Sequence, residues 1–283
     1  MRLRSLLFVP ADRPERFAKA AASGADALIL DLEDSVAQSA KAAGRQAVSE
    51  WLRGEGRGVP SLVRINPLTS PHLAADLEAL AGLSPLALML PKAEGAASIA
   101  ALDGLLQPRG LAEVPILPIA TETPAAIFQL GTYAAQAERL CGLTWGAEDL
   151  PAALGALSGR DADGQLTPPC EVARALALFA AGAAGVAAIE TVWPAFRDLD
   201  GLAAYAARGV RDGFSGMMAI HPSQVPVINA AFTPSADAQA RARRIVAAFA
   251  ANPGAGVVNL DGEMLDAPHL RQAQATLARA GEG

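Results

Sequence analysis

The stretch Ala27-Leu-Ile-Leu-Asp-Leu-Glu-Asp-Ser-Val36 decides the fold, because a short apolar run passes directly into ionisable residues. The same arrangement recurs along the chain, with helix-forming segments rich in Ala and Leu between the repeats. Apolar runs of this kind occur at residues 6–9, 27–30, 62–63, 86–90, 116–120, 143–145, 186–189 and 216–220. Eight successive βα units close into a parallel barrel whose active site forms where the strands end. The sequence therefore predicts an α/β fold, a TIM (β/α)8 barrel.

Length and composition agree with a barrel of ordinary size, since the chain has 283 residues and is 52% hydrophobic. A net charge of −6 and a pI near 5.2 provide no basic surface for nucleic acid or an anionic membrane. Cys141 and Cys170 lack CxxC spacing, as expected of reduced thiols. Pro10 interrupts the first apolar run too early for a signal peptide, and the uncharged stretch 175–189 is too short to span a bilayer. We therefore expect a cytoplasmic protein with neither a nucleic-acid nor a membrane partner.

The pattern changes after Pro222. A helix is predicted at 235–251, and the turn pair Asp261-Gly262 between two short apolar runs indicates a β-hairpin. A final helix is predicted at 269–280. We divide the chain into a barrel, residues 1–222, and a C-terminal hairpin-and-helix arm, residues 223–283. The arm has no place inside a closed barrel, so it must cover the barrel mouth or reach a neighbouring subunit.

The ends of the predicted strands bring together more acidic than basic side chains. The acidic groups are Asp31, Glu33, Asp34, Glu122, Glu148 and Asp149, against Arg64 and Lys92. Two carboxylates about 4 Å apart repel by roughly 4 kcal/mol at an effective dielectric constant near 20. A divalent cation reverses this repulsion. Because the available ligands are hard oxygens and the three histidines are scattered, Mg²⁺ is favoured, with Mn²⁺ next.

Several of these residues also have a structural interpretation. Asp149 could simply cap a helix, and we interpret Asp31 as a structural member of its loop. Lys92 could be a Schiff-base nucleophile, but among so many carboxylates we expect a charged, paired lysine. His221, beside Pro222, is expected to fix a loop. Taken alone, Asp266 would be interpreted as a helix N-cap, and Arg13 and Lys19 as solvated helix charges.

Eight short motifs carry a resemblance that runs along nearly the whole chain. They are 7–10 (LFVP) with Arg13-Pro14, 30–36 (LDLEDSV), 63–66 (VRIN), 90–92 (LPK), Glu122 after its strand, 146–150 (GAEDL), 219–222 (AIHP) and 264–266 (MLD). In this order they resemble the citrate lyase beta-subunit family of the HpcH/HpaI aldolase superfamily, which includes malyl-CoA and citramalyl-CoA lyases. One difference is Ala11, where relatives usually have a glycine after the proline.

The resemblance implies a Mg²⁺-dependent carbon–carbon lyase with a TIM barrel. Its substrate would be a 3-hydroxyacyl-CoA acid such as citryl-, malyl- or citramalyl-CoA, cleaved into acetyl-CoA and an oxoacid. The implied site residues are Glu122 and Asp149 for the metal, Arg64 for the oxoacid carboxylate, Glu148 for the substrate, and Arg13 and Lys19 for CoA. The resemblance also implies a homo-oligomer, a trimer, in which Asp266 of a neighbouring subunit is the acid/base. For the hydroxyl proton we expect Glu33 or Asp34 as the acceptor.

Two other functions remain open from the sequence. A class II aldolase acting on pyruvate or oxaloacetate without CoA could use the same carboxylates and Arg64. Such an enzyme would not need the acid/base Asp266, so the arm discriminates between the two. A non-catalytic subunit of a lyase complex could retain the barrel alone, but the set of charged residues at the predicted mouth argues against it.

Overall fold

The computed structural model describes residues 2–162 and 164–282, and its centre is a barrel of eight parallel strands. The strands are β1 (Ser5–Pro10), β2 (Ala27–Asp31), β3 (Ser61–Arg64), β4 (Ala87–Leu90), β5 (Ile116–Pro118), β6 (Leu143–Thr144), β7 (Ala188–Glu190) and β8 (Gly216–Ala219). They lie in the order β5-β4-β3-β2-β1-β8-β7-β6. Parallel bridges from Ile116 to Leu140 and from Ile119 to Thr144 join the two ends of this sheet. The predicted TIM barrel is confirmed.

Helices alternate with the strands and continue into the arm. They are α1 (Phe17–Ala21), α2 (Lys41–Arg53), α3 (Leu73–Leu80), α4 (Ala96–Leu106), α5 (Pro124–Ile127), α6 (Asp149–Leu154), α7 (Pro168–Ala184), α8 (Leu199–Asp212), α9 (Val225–Ala231), α10 (Ala236–Ala250) and α11 (Ala267–Ala280). A 3-10 helix (Leu130–Arg139) lies between α5 and β6. No helix in the described ranges is long and apolar enough to cross a membrane.

The strands are buried on both faces, which explains why they read as continuous apolar runs rather than as alternating ones. On β2, Ala27 and Ile29 belong to the cluster that fills the barrel, whereas Leu28 and Leu30 pack beneath the helices. Because successive side chains alternate between faces, Asp31 continues the inward-facing row of β2. It pairs in register with Arg64 at the end of β3. The barrel thus delivers a carboxylate and a guanidinium side by side at its C-terminal mouth.

The C-terminal arm has a small core of its own, separate from the barrel core. The hairpin strands are β9 (Val257–Leu260) and β10 (Glu263–Asp266), and both residues of the turn between them have positive φ, +54° at Asp261 and +86° at Gly262. This confirms the predicted hairpin, because such turns require positive φ. The buried residues of the arm are Ala242, Ile245, Val258, Leu265 and Ala273. Helix α9 contacts β1 and β8, and the division of the chain at residue 222 stays a prediction.

Candidate active site

Arg64 is held rigidly at the barrel mouth. Its Nε and Nη2 donate to the two carboxylate oxygens of Asp31, each at 2.6 Å. Its Nη1 lies 3.1 Å from Glu33 Oε2, and its guanidinium stacks 4.8 Å from the ring centre of Phe8. A planar guanidinium with five N–H groups fixed in this way still has donors to offer a ligand. Its orientation is set before any substrate arrives.

Asp31 acts as the support for this arginine. It is 1% exposed, and besides Arg64 it accepts hydrogen bonds from the backbone N–H groups of Glu33 (2.9 Å) and Ser35 (3.2 Å). Burial opposes ionisation of Asp31, but the hydrogen bonds from Arg64 outweigh burial and hold the pKa below its ordinary value. The structural interpretation of Asp31 is confirmed.

Lys92 lies among the carboxylates of the mouth. Its Nζ is 2.6 Å from Glu33 Oε1, 3.4 Å from Asp34 Oδ2 and 3.5 Å from Asp149 Oδ1. Burial disfavours the ammonium, but its hydrogen bond and attraction to Glu33 outweigh burial and raise the Lys92 pKa. A lysine held protonated is a poor Schiff-base nucleophile. The predicted paired lysine is confirmed.

The backbone of Lys92 also has an unusual conformation. Its φ is +51°, a left-handed conformation that costs a non-glycine residue roughly 1–2 kcal/mol. In this conformation its backbone N–H donates to Glu122 Oε2 at 2.5 Å. Strain of this kind is found at functional sites, where the surroundings hold it in place. One residue thus contacts both Glu122 and Asp149.

Glu122 is a buried carboxyl group whose pKa is raised well above its ordinary value. It is 4% exposed, and burial, together with the negative charges of Asp149 and Glu33, raises its pKa to about 8. Gly146 makes room for it, since a Cβ at that position would lie 2.9 Å from Glu122 Cγ. A buried carboxylate beside two others gains from a bound cation.

The carboxylates of the site fit Mg²⁺ and leave coordination positions for substrate and water. No group of three or more His, Cys, Asp or Glu residues within 2–162 and 164–282 is arranged to hold a metal ion on its own. Magnesium is commonly bound through one or two carboxylates plus water and substrate oxygens, which is what Glu122 and Asp149 could supply. The alternative interpretation of Asp149 as a helix N-cap is wrong, because Glu148 occupies that position of α6 and Asp149 follows it.

The other predicted site residues differ in solvent exposure and in their place in the fold. Asp34 has a side chain that is 63% exposed, and Glu148 is also exposed. Lys19 lines a cavity of about 450 Å³ beside β1, together with Arg16 and His221. Arg13 is exposed just before this cavity, in front of the short helix Pro14–Arg16. The loop-fixing interpretation of His221 is confirmed, since its Nδ1 lies 2.7 Å from Ser223 Oγ and accepts from the Ser223 backbone N–H at 3.2 Å.

Asp266 belongs to the arm, where it ends β10 and precedes α11. Its Oδ1 lies 2.6 Å from His269 Nδ1. The residue as a whole is half-buried, and its side chain is 51% exposed. Its proposed role in a neighbouring subunit stays a prediction.

Sequence reasoning missed a set of buried polar residues beneath the site. Lys41 and Asp76 look like ordinary helix charges, yet they are 4% and 0% exposed. A signal was present, because Asp76 shares a 3- and 4-residue spacing with Leu73, Leu77 and Leu80 and so lies in the apolar stripe of α3. A charged residue inside an apolar stripe indicates a buried partner.

Comparisons with known proteins extend over the barrel and the arm. The sequence profile of the HpcH/HpaI aldolase/citrate lyase family matches residues 4–222. The citrate lyase subunit beta-like protein of Mycobacterium tuberculosis is 42% identical over 276 residues, covering 98% of this chain and 95% of the relative. The L-malyl-CoA/beta-methylmalyl-CoA lyase of Cereibacter sphaeroides is 34% identical over 299 residues, covering 98% and 94%. The crystal structure of CitE from M. tuberculosis in complex with magnesium, acetoacetate and coenzyme A has a TM-score of 0.82 at 42% identity, covering 99% and 98%.

Proposed function

Because this chain belongs to the HpcH/HpaI aldolase/citrate lyase family, we propose that it is a Mg²⁺-dependent lyase acting on a 3-hydroxyacyl-CoA acid. Aldolases and citrate lyases cleave carbon–carbon bonds, so family membership confirms the predicted enzyme class. The products would be acetyl-CoA and an oxoacid. A cytoplasmic homotrimer is part of the proposal. The substrate class is supported by relatives that act on malyl-CoA and by a similar structure that holds magnesium and coenzyme A.

One observation carries the proposal: the fixed guanidinium of Arg64 and the buried carboxylate of Glu122 lie at the same mouth. Lys92 links the two, since it contacts Glu122 through its backbone and Glu33, the neighbour of Arg64, through its ammonium. An oxoacid with a carboxylate and an adjacent oxygen needs a cationic fork at one end and a metal at the other. The mouth provides both kinds of group.

The metal would be held by Glu122 and Asp149. When bound, Mg²⁺ supplies positive charge that stabilises the negative charge developing on substrate oxygens during cleavage. Arg64 binds the carboxylate of the oxoacid portion with the donors that Asp31 does not use. A charge-assisted hydrogen bond of this kind contributes about 1.5–3 kcal/mol.

Glu33 is better placed than Asp34 to accept the hydroxyl proton. It is 2% exposed and lies between Arg64 and Lys92, and burial raises its pKa above the ordinary value. A raised pKa suits a carboxylate that takes a proton near neutral pH. As Glu33 removes the hydroxyl proton, the hydroxyl oxygen becomes the new carbonyl and the C–C bond breaks. Its electron pair forms the enolate of the acetyl thioester.

Asp266 of a neighbouring subunit then donates a proton to the enolate carbon, which gives acetyl-CoA. In the condensation direction the same two groups exchange roles. The CoA portion would lie along the cavity beside β1 with Lys19, near Arg13, and Glu148 would contact the substrate from the start of α6. Covering the mouth with the arm also excludes water from the enolate.

A panel assay tests the function directly. The purified protein is incubated with malyl-, citramalyl- and citryl-CoA and Mg²⁺, and acetyl-CoA and the oxoacid are quantified by chromatography. We expect at least one substrate to be cleaved, with loss of activity after chelation and in Glu122→Gln. Glu94→Gln is the matched control, because Glu94 is a nearby exposed carboxylate that accepts a hydrogen bond from Thr123.

Cleavage of free hydroxy-oxoacids without CoA would instead support the class II aldolase. Absence of cleavage of any thioester by the folded, Mg²⁺-loaded protein would contradict the proposal and favour a non-catalytic subunit.

A further inference from the structure

A buried polar network lies beneath the loop that carries Glu33 and Asp34, and the mechanism above does not use it. Its centre is Lys41, the first residue of α2, which is 4% exposed. The Lys41 Nζ donates to the backbone carbonyls of Leu32 and Glu33, each at 2.7 Å, and to Asn66 Oδ1 at 3.0 Å. An ammonium has three N–H donors, so all of them are used.

Asn66 connects this lysine to a buried acid. Its Nδ2 donates to Leu32 O at 3.0 Å and to Asp76 Oδ2 at 2.6 Å, and its backbone N–H donates to the same oxygen at 2.9 Å. The other oxygen of Asp76 accepts from Arg45 Nη1 at 3.2 Å. Asp76, which is fully buried, therefore pairs with the Arg45 guanidinium and is linked to the Lys41 ammonium through Asn66. The Arg45 guanidinium and the two hydrogen bonds from Asn66 together stabilise the buried carboxylate of Asp76.

The network holds the backbone of the loop, whereas the side chains of the loop act in the mouth. Lys41 contacts the carbonyl group of Glu33, and the carboxylate of Glu33 reaches Lys92 at 2.6 Å and Arg64 at 3.1 Å. A shift of the Leu32 and Glu33 carbonyls would move that carboxylate away from both partners. Misplacement of a reacting group by about 1 Å can lower a rate on the order of a hundredfold.

The cost of burying this lysine argues for a role beyond stability. Lys41 shares the buried face of α2 with Gly44 and Val48, where an apolar side chain would avoid the desolvation of an ammonium. Replacing buried ionic groups by packed apolar ones is often neutral or stabilising. The ammonium is the group that can bind two adjacent carbonyls and an amide oxygen at once.

We propose that Lys41 is a positioning residue for Glu33: it ties the backbone of the 32–34 loop so that the Glu33 carboxylate meets Lys92 and Arg64. The proposal deepens the function proposed above and rests on it for its kinetic test. Lys41 itself contacts neither substrate nor metal. Its effect on the reaction passes through Glu33.

The first test compares Lys41→Met with Ser49→Ala. Ser49 is a matched control on the same helix, 6% exposed, whose Oγ donates to the carbonyl of Ala79 at 2.6 Å, away from the loop. We expect Lys41→Met to lower kcat by about ten- to a hundredfold while the Mg²⁺ affinity measured by calorimetry changes less than about twofold. Ser49→Ala should lose stability but keep the kcat of the wild type.

A double-mutant cycle separates positioning from general destabilisation. If Lys41 acts through Glu33, adding Lys41→Met to Glu33→Gln should lower kcat little further, because interacting sites are not additive. Full additivity of the two effects on kcat would overturn the proposal. If Lys41→Met does not fold, Lys41→Arg takes its place. The guanidinium of arginine keeps the charge, but none of its nitrogens can donate three hydrogen bonds, so a lower kcat is still expected.

Amide hydrogen exchange tests the same proposal without any activity. The N–H groups of Leu32, Glu33, Ser35 and Val36 are hydrogen-bonded within or beside the loop, to Arg64 O, Asp31 and Glu33 O. We expect faster exchange across 32–36 in Lys41→Met than in Ser49→Ala. Equal exchange in the two variants would refute the tethering. An inactive wild type would count against the proposed function alone, since the exchange result is independent of turnover.

Discussion

Gly146→Ala probes the metal site without changing a charge. A Cβ at residue 146 would lie 2.9 Å from Glu122 Cγ and 3.4 Å from Glu122 Oε1. The backbone at this position resists movement, because the Gly146 N–H donates to Thr121 Oγ1 at 3.1 Å. The side chain of Glu122 must therefore give way. We expect the substitution to displace a carboxylate that we propose as a ligand of Mg²⁺.

The magnitude follows from the overlap. Inserting a methyl group into a well-packed site costs about 1–3 kcal/mol. If the Glu122 carboxylate absorbs this strain, the loss appears in metal binding, where about 1.4 kcal/mol corresponds to a tenfold change in Kd. We therefore expect Mg²⁺ to bind roughly ten- to a hundredfold more weakly. If the backbone moved instead, the loss would appear as a lower free energy of unfolding with unchanged Mg²⁺ affinity.

Calorimetric titration with Mg²⁺, paired with thermal unfolding in the absence of metal, distinguishes these outcomes. Gly182→Ala is the control, because a Cβ at that position of α7 would meet nothing within 4 Å. It should leave Mg²⁺ affinity unchanged. Wild-type affinity and wild-type stability in Gly146→Ala would refute the close packing of Gly146 against Glu122.

Three further substitutions test other parts of the account. Arg64→Lys keeps the charge but loses the planar guanidinium, so oxoacid binding, measured by calorimetry, should weaken by about 1–3 kcal/mol while Mg²⁺ affinity is retained. Unchanged oxoacid binding would show that the guanidinium geometry is not used. Asp266→Asn should bind Mg²⁺ but lose most turnover. Mixing it with Arg64→Ala should restore activity in re-assembled oligomers. If mixed oligomers, verified by mass, stay inactive, this would contradict a site shared between subunits. Asp26→Asn should destabilise the protein by about 1–2 kcal/mol at neutral pH, because it removes paired hydrogen bonds from Arg4 at 2.7 and 2.9 Å. Burial opposes ionisation of Asp26, but Arg4 outweighs it and lowers the pKa. This stabilisation is therefore present above about pH 4, the ordinary pKa, and is lost as the pH falls through the folded pKa; chemical unfolding should show the difference between the two proteins shrinking there.

The strands could be predicted from the sequence because burial on both faces leaves a continuous apolar run. The end of one predicted strand differs in the structure. The run 116–120 suggested five residues, but β5 ends at Pro118. Proline has no N–H to donate to a sheet, so the pairing beyond it passes to a single bridge at Ile119.

The residues of the site were predictable by type, but their relative importance was not. Glu33 and Asp34 are adjacent in sequence, and only the alternation along the chain separates them. Glu33 continues the inward row of Ile29 and Asp31, whereas Asp34 has a side chain that is 63% exposed. A sequence of charges does not tell which of them faces the barrel axis until the strand register is known.

The supporting network escaped prediction for a related reason. Lys41 and Asp76 lie on helices, where charged residues ordinarily face solvent. Their burial depends on the approach of Asn66 to both of them, which is a long-range contact. The sequence likewise contained no sign that Arg16 shares a cavity with Lys19 and His221, because only the fold brings the helix Pro14–Arg16 next to the loop after β8.

Calorimetric titration with Mg²⁺ of the wild type and of Glu122→Gln, Asp149→Asn and Glu94→Gln tests whether Glu122 and Asp149 form a Mg²⁺ site. We expect the first two variants to bind Mg²⁺ at least about tenfold more weakly than the wild type, because each loses an anionic oxygen ligand. Glu94→Gln should match the wild type. Undiminished Mg²⁺ affinity in both Glu122→Gln and Asp149→Asn would contradict a metal site at these two residues.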